Sequence, residues 1–152
     1  FEYFKLLGGE MAVKEPKRVA ISLLFDNFTL EEILNMQIAC VKAFKESEIK
    51  MLHTMWQKGL NSPLTSSIGR LFDAVASFAN ILHIQTYEGE TGLQIERNYD
   101  KSISQSYSYE IINNKIDIKT MVKEIVLEKY DNIDFGYIIT GLLSFGAYLL
   151  LR

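Results

Sequence analysis

Apolar and polar positions alternate with helical spacing through the first part of the chain, with short polar breaks between segments. After Pro16, a residue suited to the first turn of a helix, apolar side chains recur every three or four positions as far as Phe25. A polar break follows, and then Thr29 is succeeded three positions later by Glu32. This spacing is that of a capping box, so it predicts a helix from Leu30 to about Lys45.

Two further helical segments follow. Ser47 is a candidate cap for the first, and Gly59 is placed to end it, because a glycine after the last turn readily adopts the left-handed conformation. The hydroxyl side chains of residues 65–67 precede the second segment, 68–82, which has a wide apolar face. Phe72 lies on that face, and we expect it in the main core.

The pattern of residue types changes after a short helical pattern at 92–100. β-Branched and aromatic residues on both sides of Asn113-Asn114 predict a β-hairpin over about 102–118. Asp117 or Thr120 is then placed to cap a helix that reaches about residue 130.

These elements predict a mainly α fold with a small β-hairpin, an α+β arrangement without the strand–helix alternation of a parallel sheet. Residues 1–152 would form one domain or a fragment of one, helical over 1–100, with the hairpin at about 102–118 and terminal helices over 119–152. The length of 152 residues fits one domain, and the hydrophobic content of 48% excludes a wholly disordered chain.

Charge and reactive side chains narrow the possible functions. The net charge is −3, which argues against nucleic acid as a partner. A single cysteine, Cys40, excludes an intramolecular disulfide and a cysteine-based zinc site, and it is compatible with a reducing compartment. A buried, inert thiol is favoured there over a nucleophile. His53 and His83 have no acidic residues at ligand spacing, so no metal site is predicted in this chain.

Two expectations concern the ends of the chain. The uncharged run 135–151 is shorter than the ~20 residues that a membrane-spanning helix needs, and three glycines interrupt it. We therefore expect a buried terminal helix and no membrane partner. Peripheral membrane attachment through 135–151 is the alternative, and it requires that this run be exposed and contiguous. The chain starts with Phe1 and has no signal-peptide pattern, and we expect it to be a piece of a longer protein.

One region combines polar groups that suit a ligand site. The segment NSPLTSSIGRLFDAVASF, 61–78, places Asp73 in an apolar stretch, where a carboxylate must face solvent or find hydrogen-bond donors. The segment TYEGETGLQIE follows and contains Glu88, Gly89 and Glu96. Carboxylates can accept hydrogen bonds from a ribose or another polyol. Ordinary helix caps and a solvated acidic loop are the alternative interpretation.

The same segments resemble the C-terminal region of the HypF-type carbamoyltransferases, which mature [NiFe]-hydrogenases. LLGGEMAVKEPKRVAISLLF, at 6–25, resembles an upstream block of that family, and the similarity extends over roughly 5–128. The resemblance implies a partial carbamoyl-transfer domain of the ASKHA type. It also implies a nucleotide site near the ribose at Asp73, Glu88 and Gly89, and less directly at Glu96.

The resemblance further implies an activity for the parent protein. It would use carbamoyl phosphate and ATP to form carbamoyl adenylate. It would then pass the carbamoyl group to the C-terminal cysteine of the partner HypE, for synthesis of cyanide ligands in the cytoplasm. A metal ion would be held by residues outside this chain.

Several parts of the family pattern do not occur in this sequence. They include the acylphosphatase domain, the cysteine-rich zinc fingers, the carbamoyl-activation domain, the histidine-rich metal motif and a glycine-rich block. The tail after residue 133 also differs from the family pattern. We therefore expect the chain alone to be inactive, with catalytic residues unassigned. The rival hypothesis is a helical interaction module without a catalytic role.

Overall fold

Helices dominate the part of the chain that the computed structural model describes, residues 1–98, 102 and 107–130. The helices are α1 (Glu10–Lys14), α2 (Pro16–Asn27), α3 (Leu30–Asn35), α4 (Ala39–Lys42), α5 (Glu46–Lys58), α6 (Ile68–Phe78), α7 (Glu90–Arg97) and α8 (Lys119–Tyr130). The strands are β1 (Phe4–Lys5), β2 (Leu64–Thr65), β3 (Glu110–Ile112) and β4 (Lys115–Asp117). The predicted terminal helix at 135–151 lies outside the described residues, as do 103–106 in the predicted hairpin range.

The core is built around α2. This helix is buried on all sides from Val19 to Phe25, as expected of a helix surrounded by other elements. Helix α6 packs along it, and α8 covers it from another direction. Apolar side chains of α8, including Met121, Val122 and Ile125, are fully buried in the same core. The segments that carry the candidate site are therefore attached to the main hydrophobic core.

Phe72 corrects one expectation about this core. It is only partly buried, whereas Phe78 on the same helix is 1% exposed. Phe72 lies at the border between the main core and a small cluster of Ala76 and Ile95 under α7. The apolar stripe of α6 is therefore wider than the core that covers it.

The predicted capping box of α3 is present. The Glu32 carboxylate accepts a hydrogen bond from the Thr29 N–H at 2.7 Å, and the Glu32 N–H donates to the Thr29 hydroxyl at 3.3 Å. The prediction that this helix continues to Lys45 is wrong, because α3 ends at Asn35. Met36 and Ile38 are both buried. A continuous helix would point these two side chains about 200° apart, so an extended link is needed to bury both.

The next helix begins slightly earlier than predicted. Ser47 is not the cap, since α5 starts at Glu46 and contains Ser47 in its first turn. The Lys45 N–H donates to the Glu48 carboxylate at 2.7 Å, so a glutamate satisfies the start of the helix instead of the serine. The end is as predicted, with Gly59 in the left-handed conformation at φ 66°.

The predicted hairpin is confirmed in its turn and pairing. Strands β3 and β4 are antiparallel, with Ile111 opposite Ile116. Asn113 and Asn114 have φ of 50° and 61°, the positive values that a two-residue type I′ turn requires. The Asp117 carboxylate accepts the Lys119 N–H at 2.8 Å and so caps α8. None of the helices in the described ranges is long and apolar enough to cross a membrane.

A second antiparallel pair, β1 and β2, was not predicted from the sequence. Each strand has two residues, too short for a recognisable alternation, and Phe4 faces Thr65. Two further backbone hydrogen bonds continue the pairing, from the Leu6 N–H to the Pro63 carbonyl at 2.7 Å and from the Gly8 N–H to the Asn61 carbonyl at 2.8 Å. This pairing brings the N-terminal segment and α1 next to the start of α6.

Candidate functional site

An open groove of about 580 Å³ lies where α1, the first turn of α6 and the segment before α7 meet. The residues that line it are Val13, Lys14, Arg70, Gln85, Thr86, Tyr87 and Glu88. Two of them are cations, one is a carboxylate and one is an amide. The groove therefore offers both donors and acceptors to a bound molecule.

Gln85 holds the three parts of the groove together. Its backbone N–H donates to the Lys14 carbonyl at 2.8 Å, and its side-chain amide donates to the Val13 carbonyl at 3.0 Å. The same amide nitrogen also donates to Asp73 Oδ1 at 3.0 Å. One residue thus satisfies carbonyls at the end of α1 and a carboxylate on α6.

Asp73 lies beneath the groove and is not among its lining residues. It is 2% exposed, and its Oδ2 is 2.7 Å from Arg70 Nη1 in an ion pair one helical turn away. Burial raises the pKa of the Asp73 carboxyl above its ordinary value. The positive charge of Arg70, then the Thr91 hydroxyl and the Gln85 amide, act in the opposite direction on that pKa.

Arg70 connects this buried carboxylate to the groove. Its position is set by the start of α6, where the Ser67 hydroxyl accepts the Arg70 N–H at 3.4 Å as an N-cap. Its Nη1 is buried against Asp73, while 22% of the side chain is exposed. Arg70 is therefore ion-paired with the buried Asp73 and also lines the groove.

The turn before α7 presents Glu88. The Glu90 carboxylate accepts hydrogen bonds from the Thr86 N–H at 2.6 Å and the Thr86 hydroxyl at 2.9 Å, which closes the turn. Those bonds, the backbone one first, hold the pKa of Glu90 below its usual value. Gly89 precedes α7 with φ of 84°, a conformation that side chains other than glycine rarely adopt. Glu88 remains exposed at the groove.

Of the four residues predicted for the site, Glu88 lines the groove with Gly89 next to it in the chain, and Asp73 contacts the lining residues Arg70 and Gln85. Glu96 lies exposed on α7, outside the lining of the groove. Its assignment to the site stays a prediction. The ligand contacts of Asp73, Glu88 and Gly89 likewise stay predictions.

The other reactive side chains belong to the scaffold. His83 Nδ1 is 2.8 Å from the Ser77 hydroxyl, and its Nε2 is 3.0 Å from Asn80 Oδ1. Cys40 is buried. Within the described ranges, no three histidine, cysteine or acidic side chains are grouped closely enough to hold a metal ion.

Of the residues that line this groove, only Glu88 was predicted for the site; the missed residues with a charge or an amide are Lys14, Arg70 and Gln85. Arg70 had a local signal, because it stands three positions before Asp73 on one helix, where opposite charges meet. Lys14 and Gln85 had none, because the contact between α1 and the segment before α7 joins residues far apart in the sequence.

Comparison with known proteins places the chain in a family. The family model described as "Carbamoyltransferase, Kae1-like Domain, second subdomain" matches residues 1–143. The chain belongs to the HypF carbamoyltransferase family. It is 31% identical over 143 residues to the carbamoyltransferase HypF of Synechocystis, covering 82% of this chain and 18% of that protein. It is 37% identical over 90 residues to the probable carbamoyltransferase HypF of Methanocaldococcus jannaschii, covering 59% of this chain and 12% of the relative.

Solved HypF structures share the fold. A crystal structure of full-length HypF in a phosphate- and nucleotide-bound form superposes with a TM-score of 0.83 at 24% identity, covering 99% of this chain and 24% of that one. HypF of T. kodakarensis superposes with a TM-score of 0.75 at 20% identity, over 93% of this chain and 19% of that one. These matches confirm the predicted fold class, a mainly α, α+β arrangement that is one part of a larger domain. The chain spans less than a quarter of the length of these HypF proteins.

Proposed function

We propose that this chain forms one wall of the nucleotide site in a HypF-type carbamoyltransferase. The parent protein would use carbamoyl phosphate and ATP to make carbamoyl adenylate. It would transfer the carbamoyl group to the C-terminal cysteine of a HypE-type partner in the cytoplasm, for the cyanide ligands of [NiFe]-hydrogenase. The family membership of the chain supports carbamoyl transfer in general, and the donors, acceptor and partner named here are proposals.

The observation that carries the proposal is the convergence of Lys14, Arg70 and Glu88 on one groove. A nucleotide presents anionic phosphates, which cations bind, and a ribose diol, which offers two hydroxyl donors to a carboxylate. The volume of about 580 Å³ lies in the range usual for small-molecule sites. Glu88 is the candidate acceptor for the ribose, and Gly89 lets the backbone approach it closely.

The family resemblance implies two bound groups, ATP and a metal ion, and the described residues suit them to different degrees. ATP fits the groove for the reasons just given. The metal ion finds no group of ligands among the described residues, as stated above, so no step is assigned to it here. The rival hypothesis, a helical interaction module, gains no support from Asp73, because its partners Arg70 and Gln85 both line an open groove.

Calorimetric titration of ATP into the parent protein tests the proposal. Glu88→Gln removes the charge of the acceptor and keeps its size, so ATP affinity is expected to fall about 10-fold, the loss of one charge-assisted hydrogen bond. Glu31→Gln, on exposed α3 and away from the groove, is the matched control and is expected to leave affinity unchanged. Equal affinities for both variants and the unaltered protein would contradict the proposal. Loss of affinity in Glu96→Gln would extend the site along α7.

A further inference from the structure

The β3–β4 hairpin has one strand edge without a partner in the part of the chain that the structure describes. The outer side of β4 is used, because the Glu2 N–H donates to the Ile116 carbonyl at 2.8 Å. Ile116 lies directly opposite Ile111 of β3. In an antiparallel ladder, the main-chain groups of two opposite residues point either toward each other or away from each other together. The N–H and C=O of Ile111 therefore point to the unpaired side of β3.

The same edge is apolar. Ile111 is 66% exposed and Ile112 is 46% exposed, and the two side chains lie on opposite faces of the strand. Proteins usually protect a strand edge with charges, proline or a covering segment, because a bare edge pairs with other chains. Strand β3 contains one charged residue, Glu110, and no proline. The edge therefore has the properties of a pairing surface.

The main chain decides the register in which two such edges can pair. Two antiparallel copies related by a two-fold axis place one residue opposite itself. Glu110 and Ile112 direct their main-chain groups toward β4, since they alternate with Ile111 along the ladder. An axis centred on Ile111 therefore gives two hydrogen bonds, from each Ile111 N–H to the carbonyl of the other copy.

The apolar side chains match in this register. Ile111 would lie opposite the Ile111 of a second copy, and each already lies opposite Ile116 of its own hairpin. One face of the resulting four-stranded sheet would carry a row of four isoleucines. Because β-branched pairs stabilise neighbouring strands, this row favours the pairing.

The charged side chains on the other face are complementary. Glu110 would lie opposite the Ile112 of the second copy, and Lys115 of that copy lies next to its Ile112. The Lys115 ammonium is 5.3 Å from the centroid of the Tyr3 ring, near the outer limit for a cation and a ring, so it can turn to a carboxylate. Within its own hairpin Glu110 faces Asp117, a like charge, and the lysine of the second copy would offset that repulsion.

We propose that β3 is a self-pairing edge, through which two copies of this chain associate as a symmetric dimer with a continuous four-stranded sheet. The inference is independent of the proposed nucleotide site. The edge has three residues in each copy, so it buries less than the roughly 1,200 Å² of a stable interface. The dimer is therefore weak and forms only at high protein concentration.

Sedimentation velocity of the chain between about 10 μM and about 1 mM tests the association. The sedimentation coefficient is expected to rise with concentration for the unaltered chain. It should stay at the monomer value for Ile111→Lys, because two like charges would meet at the centre of the pairing. Met51→Lys, at an exposed methionine of α5, is the control and should associate like the unaltered chain. Monomers at every concentration, or equal association by Ile111→Lys, would overturn the proposal.

Amide hydrogen exchange reports on the main-chain contact itself. The Ile111 N–H is expected to exchange at least about twofold more slowly at the highest concentration than at the lowest, since the dimer protects it. The Ile112 N–H, which pairs within the hairpin, should change little. Equal behaviour of the two amides would overturn the assigned pairing.

A charge exchange tests the register. Glu110→Lys and Lys115→Glu are each expected to weaken the dimer, and the double variant should recover it, because the opposite charges then face each other again. The same loss in the double variant would overturn the register. The parent protein is measured over the same concentrations, and a parent that stays monomeric would overturn the proposal, because other parts of it would then cover β3.

Discussion

Replacing Phe78 with alanine tests whether α6 is part of the main core. Phe78 is 1% exposed and belongs to the cluster that joins α6 to α2. Removing the ring loses its transfer free energy and leaves a cavity between two helices. The expected cost is about 3–5 kcal/mol of unfolding free energy. For a chain of this length that cost lowers the melting temperature by roughly 6–20 °C, at about 2–4 °C per kcal/mol.

The matched control is Phe72→Ala, the same substitution on the same helix. Phe72 is partly buried and borders the small cluster under α7. Because part of its ring already faces solvent, its removal is expected to cost at most about half as much as that of Phe78. The comparison cancels differences in helix propensity, since both variants exchange phenylalanine for alanine inside α6.

Urea denaturation of the chain, followed by circular dichroism, measures both variants against the unaltered chain. The slope of unfolding free energy with urea should stay constant, so that midpoints report stability. A loss below about 1 kcal/mol for Phe78→Ala, or a larger loss for Phe72→Ala than for Phe78→Ala, would refute this account of the core.

Three further predictions concern caps, pH and activity. Thr29→Ala removes one half of the capping box and is expected to cost about 1 kcal/mol in the same denaturation assay, whereas Thr54→Ala, on the exposed side of α5, should cost clearly less. Burial, and then the charge of Lys17, hold the pKa of His83 below its ordinary value, so the unfolded chain takes up this proton first as the pH falls. The stability that neutral His83 contributes is therefore complete above about pH 6.5 and is lost as the pH falls toward the pKa of the folded state; melting temperatures across this range should fall less steeply for His83→Gln. The chain alone should catalyse no carbamoyl-phosphate-dependent ATP–pyrophosphate exchange, and exchange above a heat-inactivated control would contradict its assignment as one part of the enzyme.

The elements that the sequence predicts correctly are those defined by neighbours in the chain. The α3 cap depends on Thr29 and Glu32, which are three residues apart, and the hairpin turn depends on Asn113 and Asn114 adopting positive φ. The break after Asn35 was missed because it depends on what Met36 and Ile38 can bury, which only the assembled core decides. The β1–β2 pair was missed for the same reason, since its strands lie about sixty residues apart.

The candidate site shows the same difference between features set by neighbours in the chain and features set by distant contacts. A residue pattern led to Asp73 and Glu88; Glu88 lines the groove, and Asp73 contacts two residues of its lining that the pattern did not select. One of these two residues, Gln85, belongs to no motif and joins α1 to α6 through one backbone and two side-chain hydrogen bonds. Since the carbonyls it satisfies belong to α1, the position of Lys14 relative to Arg70 depends on this amide. The spacing of the two cations is thus a property of the fold, set by a residue whose contacts join parts of the chain about seventy positions apart.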